Sequence, residues 1–436
     1  MKQKLHIKNR RKKKFLIYGL GITGVSVVKF FKKKNIKNFF VWDDNKKKRK
    51  LFKKVLNSRN FIKLLYEVNY IIISPGININ SAKFKKHLLL NKHKIISDID
   101  LFYIQNPSLK SIVVTGTNGK STTCKILEHL LKKNGYKVKL GGNIGEPLLN
   151  IKNNKSAFIV IEASSFQLSY SKFIKPKYAL ILNFSNDHLD WHGKIQNYLN
   201  SKFKIFKLQK KDDFALLKEK KLIKKFKKNK YLSKLKIISE KKYKKINNKI
   251  ENKYLRLKAN EKNMSFAYQL GKILKISDAS FIDSFKNFKG LPHRYETFYK
   301  KNNVNFINDS KATSFESSKY ALENNKNIFW IVGGLPKLGD KLNIRSLKKN
   351  ITKSFIIGKN TKFFEKQLKG KVDLEVSKNL SYALKKILFE IRNDKSSKDK
   401  TVLFSPASAS YDQYKNFKDR GNKFKSLVRL YGKNIY

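Results

Sequence analysis

The chain is poor in the residues that cross-link, punctuate and acidify. Its single cysteine, Cys124, excludes an internal disulfide and fits a reducing compartment, so a cytoplasmic location is expected. Only seven prolines, with Ile, Leu, Phe and Tyr supplied throughout, argue against long disordered tracts. No stretch reaches the roughly 18 uninterrupted apolar residues of a membrane span, so none is expected. The N-terminal MKQKLHIKNRRKKK followed by FLIYGLGITGVSVV mimics a secretion signal. Glycines at 19, 21 and 24 interrupt its apolar part, and Lys29 and Lys32 follow. A strand, a tight turn and a helix explain it better.

Acidic residues are the other scarcity. The chain has 31 Asp+Glu against 99 Lys+Arg, a formal net charge of +68. Such a balance ordinarily points to a polyanionic partner. Here the excess is lysine rather than arginine, it runs along the whole chain, and it accompanies heavy use of Asn, Ile, Phe and Tyr. Those amino acids have AT-rich codons, so mutational bias accounts for the charge, and no functional nucleic-acid binding is expected. No interleaved aromatic motif for stacking bases is present.

The 436 residues are enough for roughly two to four domains. Apolar strand-like runs alternate with helical patterns in three blocks, which predicts α/β folding around parallel sheets. The first block holds strands FLIYGLG, NFFVWDD and VNYIIISPG. The second holds SIVVTG, AFIVIEAS and YALILNFS, followed by a helical stretch from about Ile195 to Lys210. The third, from GLPHRYE onward, holds NVNFIND, NIFWIVGG, SFIIGK and TVLFSPAS. Residues 211–258, with runs such as KEKKLIKKFKKNK, read as lysine-rich surface helices and strands without a site. No repeat of about 20–50 residues is present.

The decapeptide VVTGTNGKST, Val113–Thr122, has the parts of a phosphate-binding loop: strand, glycine turn and helix. Gly116 and Gly119 let the backbone fold tightly around a phosphate, with Thr117 and Asn118 between them. A helix starting near Ser121 adds its positive end. Lys120 can reach phosphate oxygens, and the hydroxyl of Ser121 or Thr122 can meet Mg²⁺. The loop departs from G-x-x-x-x-G-K-[ST] in carrying Val114 at the first glycine position. Glu162 ends the strand AFIVIE, and Asp187, His188 and Asp190 follow the next strand, all at the edge where open α/β sheets bind ligands. GLGITG, Gly19–Gly24, is a G-x-G-x-x-G between a strand and a helix, and Asp43 ends the next strand. NAD and a nucleotide-sugar both fit this pattern. INDSKATS and FSPASASYDQYKNFKDRGNKF follow third-block strands and are rich in small and hydroxyl residues.

In order, GLGITG, SPGI, TGTNGKST, GGNIGEP, EASSFQL, NDHLD, GLPHR, NDSKAT, VGG and the SPASAS segment resemble the Mur ligase family over nearly the whole chain. Within it they are similar to the branch that adds D-glutamate. The motifs D-N-P-R and H-H-P-T-E of two other branches are absent. The resemblance implies three domains. These are a Rossmann-like UDP-substrate domain (1–98), a central P-loop ATPase domain with a parallel-rich sheet (99–290) and a Rossmann-like amino-acid domain (291–436). It implies ATP-driven addition of D-glutamate to UDP-N-acetylmuramoyl-L-alanine by a cytoplasmic monomer.

By register, the resemblance implies that Ile22, Thr23, Asp43, Asp44, Gly76 and Asn143 serve the UDP-substrate. Gly116 to Thr122, Asn263, Arg294 and Asp309 would serve ATP. Lys311, Thr313, Lys337, Ser410 and Phe417 would serve D-glutamate. Lys120, His188 and Lys202 would be catalytic, and Ser121, Glu162, His188 and Lys202 would hold Mg²⁺ at two sites, one through carbamylated Lys202. Three positions depart from the family pattern: Lys262 where His is usual, Ser408 where Cys is common, and GGLPK without an acidic residue.

Overall fold

The computed structural model describes residues 13–432 apart from 53–57, 153–156, 338, 342 and 395. The described strands form three sheets, and the chain divides into two compact units, 1–288 and 289–436.

The first unit opens with strands β1 (Phe15–Tyr18), β2 (Phe39–Trp42), β3 (Tyr70–Ile73) and β4 (Ile95–Ile96). They form a parallel sheet of order β2-β1-β3-β4. FLIY of β1 is buried on both faces because successive side chains alternate. Phe15 and Ile17 pack with Val27 and Phe31 of the helix Ile22–Lys33. Leu16 and Tyr18 face Trp42, Phe61 and Leu64.

The second sheet contains β5 (Ser111–Thr115), β6 (Val138–Gly142), β7 (Phe158–Glu162), β8 (Tyr178–Ile181), β9 (Phe214–Leu217) and β10 (Lys234–Ile237). Its order is β10-β9-β8-β5-β7-β6, all parallel. After β5 the chain builds first to one side and then to the other. The carboxyl ends of β5, β7 and β8 therefore flank the point where the strand order reverses, the place such sheets bind ligands. The helix Lys120–Lys133 covers one face with the helix Lys258–Ile273, through Leu127, Leu130, Met264 and Leu270.

The lysine-rich stretch 211–258 is not all surface. β9 pairs with β8, and Ala215, Leu216 and Leu217 are buried. In the helix Lys220–Lys228, Leu222 and Phe226 lie one turn apart and face the core, while the lysines take the wet side. Tyr243, Ile246, Ile250 and Leu255 also join the core. Sparse apolar residues at helical spacing suffice to bury a face.

The second unit contains β11 (Glu296–Lys301), β12 (Val304–Asn308), β13 (Ile328–Gly333), β14 (Ile351–Ile357), β15 (Leu374–Lys378) and β16 (Lys400–Phe404). The order is β11-β12-β16-β13-β14-β15, with only β11 antiparallel to its neighbour. The helices Leu380–Asn393 and Phe417–Tyr431 pack on one face through Leu384, Ile387, Phe424 and Val428.

Candidate functional site

The loop after β5 is set by two glycines in the left-handed half of backbone space: Gly116 at φ 153° and Gly119 at φ 82°. A Cβ on Gly119 would collide with Oδ1 of Asn263, which also accepts from Thr123 Oγ1 at 3.1 Å. Asn263, expected from the resemblance to serve ATP, thus sits buried against the loop. The helix begins at Lys120, and its N-cap position is Gly119, which has no side chain to cap with. The first amides of the helix and its dipole favour an anion at this end.

Lys120 Nζ donates to the carbonyl oxygens of Gly116 at 2.9 Å and Thr117 at 2.7 Å. Lys202 lies in the helix Ile195–Phe203 and is 1% exposed. Its Nζ donates to the same Gly116 oxygen at 2.8 Å and lies 4.4 Å from the Tyr198 ring centroid. Burial, then the nearby charge of Lys120, holds the Lys202 amine well below the ordinary lysine range. Tyr198 Oη is 3.2 Å from Thr117 Oγ1. Thr117, Lys120 and Lys202 therefore meet at one turn.

Glu162 ends β7 beside Val114 of β5. Its Oε1 accepts from Asn143 Nδ2 at 2.8 Å, and Asn143 N–H donates to the Glu162 carbonyl at 2.9 Å. Among the described residues, Glu162 Oε2 is buried and has no hydrogen-bond partner. A buried carboxylate oxygen without a donor fits a cation. Among the described residues no three His, Cys, Asp or Glu side chains gather into a metal site of their own. One carboxylate is nonetheless the usual complement for Mg²⁺ held partly by phosphate and water. Ser121 and Thr122 are buried in the first helical turn.

His188 lies in the left-handed region at φ 54°. Its ring packs 4.7 Å from Phe166, and Nε2 is 3.4 Å from Asp187 Oδ2. His192, one turn on, is buried. Burial, with the charges of His188 and Lys202, pushes it down to about 4. Sequence reasoning missed His192, Tyr198 and Asn183. None belongs to a motif legible by residue type and spacing, although Asn183 lies only two residues past the end of β8.

In the first sheet, Gly24 approaches so closely that a Cβ there would collide with the Gly19 carbonyl oxygen. Asp43 Oδ2 accepts from Leu20 N–H at 2.7 Å, and Asp44 accepts from Tyr18 Oη at 2.8 Å and Trp42 Nε1 at 3.0 Å. Both acids hold the turn's own architecture. Ile22 is 82% exposed at the start of its helix, Thr23 is partly exposed, and Gly76 lies exposed past β3. An isoleucine so exposed beside a glycine turn suits a ligand-facing position.

In the second unit, Asp309 is buried after β12. It accepts from Tyr295 N–H at 3.0 Å and Ser405 Oγ at 2.7 Å, and burial pushes its carboxyl up to about 7. Lys311 Nζ lies 4.0 Å from the Phe417 ring centroid. Arg420 is 1% exposed; it donates to Ser310 Oγ and to the carbonyls of Ser310 and Ser408. This ties the loop of Lys311 and Thr313 to that of Ser410. Arg294, Thr313 and Lys337 are half-buried, and Ser410 is buried.

The family descriptions "Mur ligase MurD-like, N-terminal domain" and "Mur ligase middle domain" match residues 13–96 and 114–280. A relative from Rickettsia prowazekii is 32% identical, over 96% of this chain and 98% of its own. One from Wolbachia of Brugia malayi is 35% identical, over 94% of each. Both are named UDP-N-acetylmuramoylalanine--D-glutamate ligase. The fold is similar to UDP-N-acetylmuramate-alanine ligase of Thermotoga maritima (TM-score 0.56, 17% identity, 96% of this chain and 99% of that one). It is also similar to the MurF ligase of that organism, solved with ADP (TM-score 0.58, 15% identity, 97% and 100%). With relatives above 30% identity aligned along almost its full length, this chain belongs to the Mur ligase family.

Proposed function

We propose that the chain is an ATP-dependent amide ligase that joins D-glutamate to UDP-N-acetylmuramoyl-L-alanine, a cytoplasmic step of peptidoglycan precursor synthesis. The observation that carries the reading is the glycine-bracketed turn where Lys120 and Lys202 converge beside Glu162. It lies in a chain whose near-full-length relatives bear that enzyme's name. We keep the three-domain division at 98/99 and 290/291 as part of this proposal.

A carboxylate is a poor acyl donor. Its oxygen attacks the γ-phosphorus of ATP, ADP departs, and the acyl phosphate forms. The amine of D-glutamate then attacks the acyl carbon, and the tetrahedral intermediate expels phosphate. Lys120 turns from the loop carbonyls to the transferring phosphoryl group, whose charge it offsets. Asn263 holds the loop, and Arg294 and Asp309 serve the nucleotide. Lys311, Thr313, Lys337, Ser410 and Phe417 receive the amino acid, whose two carboxylates call for cations and N–H donors. Ile22, Thr23, Asp43, Asp44, Gly76 and Asn143 shape the UDP-substrate site.

Ser121, Glu162 and His188 would hold Mg²⁺, which when bound screens charge on the phosphate oxygens. Burial disfavours the charged form of the Lys202 amine, and the neutral amine can add to CO₂, forming an N–C bond and releasing one proton. A buried amine thereby becomes a carbamate, an oxygen ligand that would hold a second Mg²⁺. Phosphate release by the purified protein tests the proposal. It should require ATP, UDP-N-acetylmuramoyl-L-alanine and D-glutamate together, and release with the UDP-substrate left out would refute it.

A further inference from the structure

The P-loop is clamped from behind by one side chain outside it. Asn183, two residues past the end of β8, makes three side-chain hydrogen bonds to the loop. Its Oδ1 accepts from Thr117 N–H at 3.0 Å and from Asn118 N–H at 2.9 Å. Its Nδ2 donates to the Asn118 carbonyl at 3.1 Å. Its own carbonyl accepts a further share of Thr117 N–H at 3.2 Å. Gly116 gives the backbone room, since a Cβ there would come within 3.4 Å of the Asn183 nitrogen. A primary amide is the one neutral side chain that offers an acceptor oxygen and a donor nitrogen on the same carbon, matching the N–H and C=O of one peptide residue. Aspartate lacks the donor, and serine lacks the reach and the second atom.

We infer that Asn183 is a positioning residue for nucleotide binding, holding residues 116–119 in the shape that presents the helix N-terminus and Lys120 to the phosphates. The inference rests on reading that loop as the ATP site. In a loop with Val114 where the longer pattern has a glycine, the clamp from β8 supplies rigidity that the loop's own sequence does not. Two of the loop's amides face Asn183, and those from Gly119 onward open the helix end.

The test compares the full-length protein with Asn183→Ala, Asn183→Ser and Lys120→Ala. It measures dissociation constants for a fluorescent ATP analogue with Mg²⁺, steady-state KM for each substrate, and melting temperature. Asn183→Ala should weaken nucleotide binding about tenfold or more, as expected when three hydrogen bonds that shape the loop go unmade together, and leave KM for UDP-N-acetylmuramoyl-L-alanine within about twofold. Asn183→Ser, whose shorter side chain does not reach the loop amides, should weaken nucleotide binding as Asn183→Ala does; it also serves if the alanine variant does not fold. Unchanged nucleotide affinity in both variants overturns the inference while the site reading stands. An equal rise in KM for all substrates, tracking a lower melting temperature, assigns Asn183 a structural role and also overturns it. If Lys120→Ala binds the nucleotide as the native chain does, the site reading fails and the inference falls with it.

Discussion

Lys120 and Lys202 donate to the same carbonyl oxygen, that of Gly116, at 2.9 and 2.8 Å. Two lysine amines rarely share one acceptor, because their charges repel at short range. The arrangement is stable here because burial and Lys120 disfavour the charged form of Lys202. On the proposed reading, Lys120 supplies the charge and Lys202 the reactive amine. In a chain with 99 Lys+Arg, these two stand apart by their surroundings.

Lys120→Ala should reduce kcat by about 10³-fold or more, the range seen when a transition-state cation is lost. Lys120 is partly exposed and sits at the helix start, so the melting temperature should move by no more than about 2 °C. Near-native turnover in a folded variant would contradict the role.

Lys202 should make activity depend on CO₂. Exhaustive removal of CO₂ and bicarbonate should lower turnover, and added bicarbonate should restore it. Lys202→Arg, a cation that does not form a carbamate under these conditions, should be inactive under both. The neutral amine is the reactive form, so carbamate formation declines as pH falls through the lowered pKa. Turnover indifferent to bicarbonate, or an active Lys202→Arg, would remove this claim.

Glu162→Gln keeps the shape that meets Asn143 but removes the carboxylate whose Oε2 has no partner among the described residues. The Mg²⁺ concentration for half-maximal activity should rise at least about tenfold. Without metal the variant should melt no lower than the native chain, since a buried charge is gone. A magnesium titration alongside thermal denaturation measures both.

Asp309 gives a pH signature. Its folded pKa, about 7, lies above the unfolded value near 3.8. The folded chain therefore binds the extra proton between those values, and the stability this provides is lost as pH rises through about 7. Asp309→Asn cannot titrate there. Its stability relative to the native chain should climb from pH 4 to pH 7 and level off, by on the order of 3 kcal/mol. Urea unfolding at several pH values reads this, and a flat difference would contradict it. If Asp309 serves the nucleotide as proposed, activity should fall at every pH.

Gly24→Ala should destabilise the first sheet by about 3 kcal/mol, the cost of forcing a methyl against backbone. The obstacle is the Gly19 carbonyl oxygen, which has no flexible end to swing away. Intrinsic fluorescence in urea would follow this through Trp42, buried in the same sheet. An unchanged unfolding curve would mean that the turn opens freely.

The strands that bear the motifs were legible in the sequence because each is an apolar run ending in small or polar residues. FLIY before Gly19, SIVVT before Gly116 and FIVIE ending on Glu162 are examples. Strands β6, β11 and β15 escaped because VKLGG, ETFYKK and LEVSK mix lysine, glycine and acid with few apolar residues. β9 was hidden by its lysine-rich flanks, although FALL itself is apolar. The candidate site was legible where a motif fixes position along the chain, as for Lys120. Asn183 and Tyr198 were not, because their roles depend on contacts between strands and helices that lie 65 to 81 residues apart in sequence.

The most direct test of the central claim is product formation by the purified protein with ATP, Mg²⁺ and UDP-N-acetylmuramoyl-L-alanine. D-glutamate, L-glutamate, meso-diaminopimelate and no amino acid would be compared, with ADP assayed and the product weighed by mass spectrometry. The account predicts ADP and an amide product with D-glutamate alone. Equal turnover with meso-diaminopimelate or L-glutamate, or none with D-glutamate from folded protein that still binds the UDP-substrate, would contradict it.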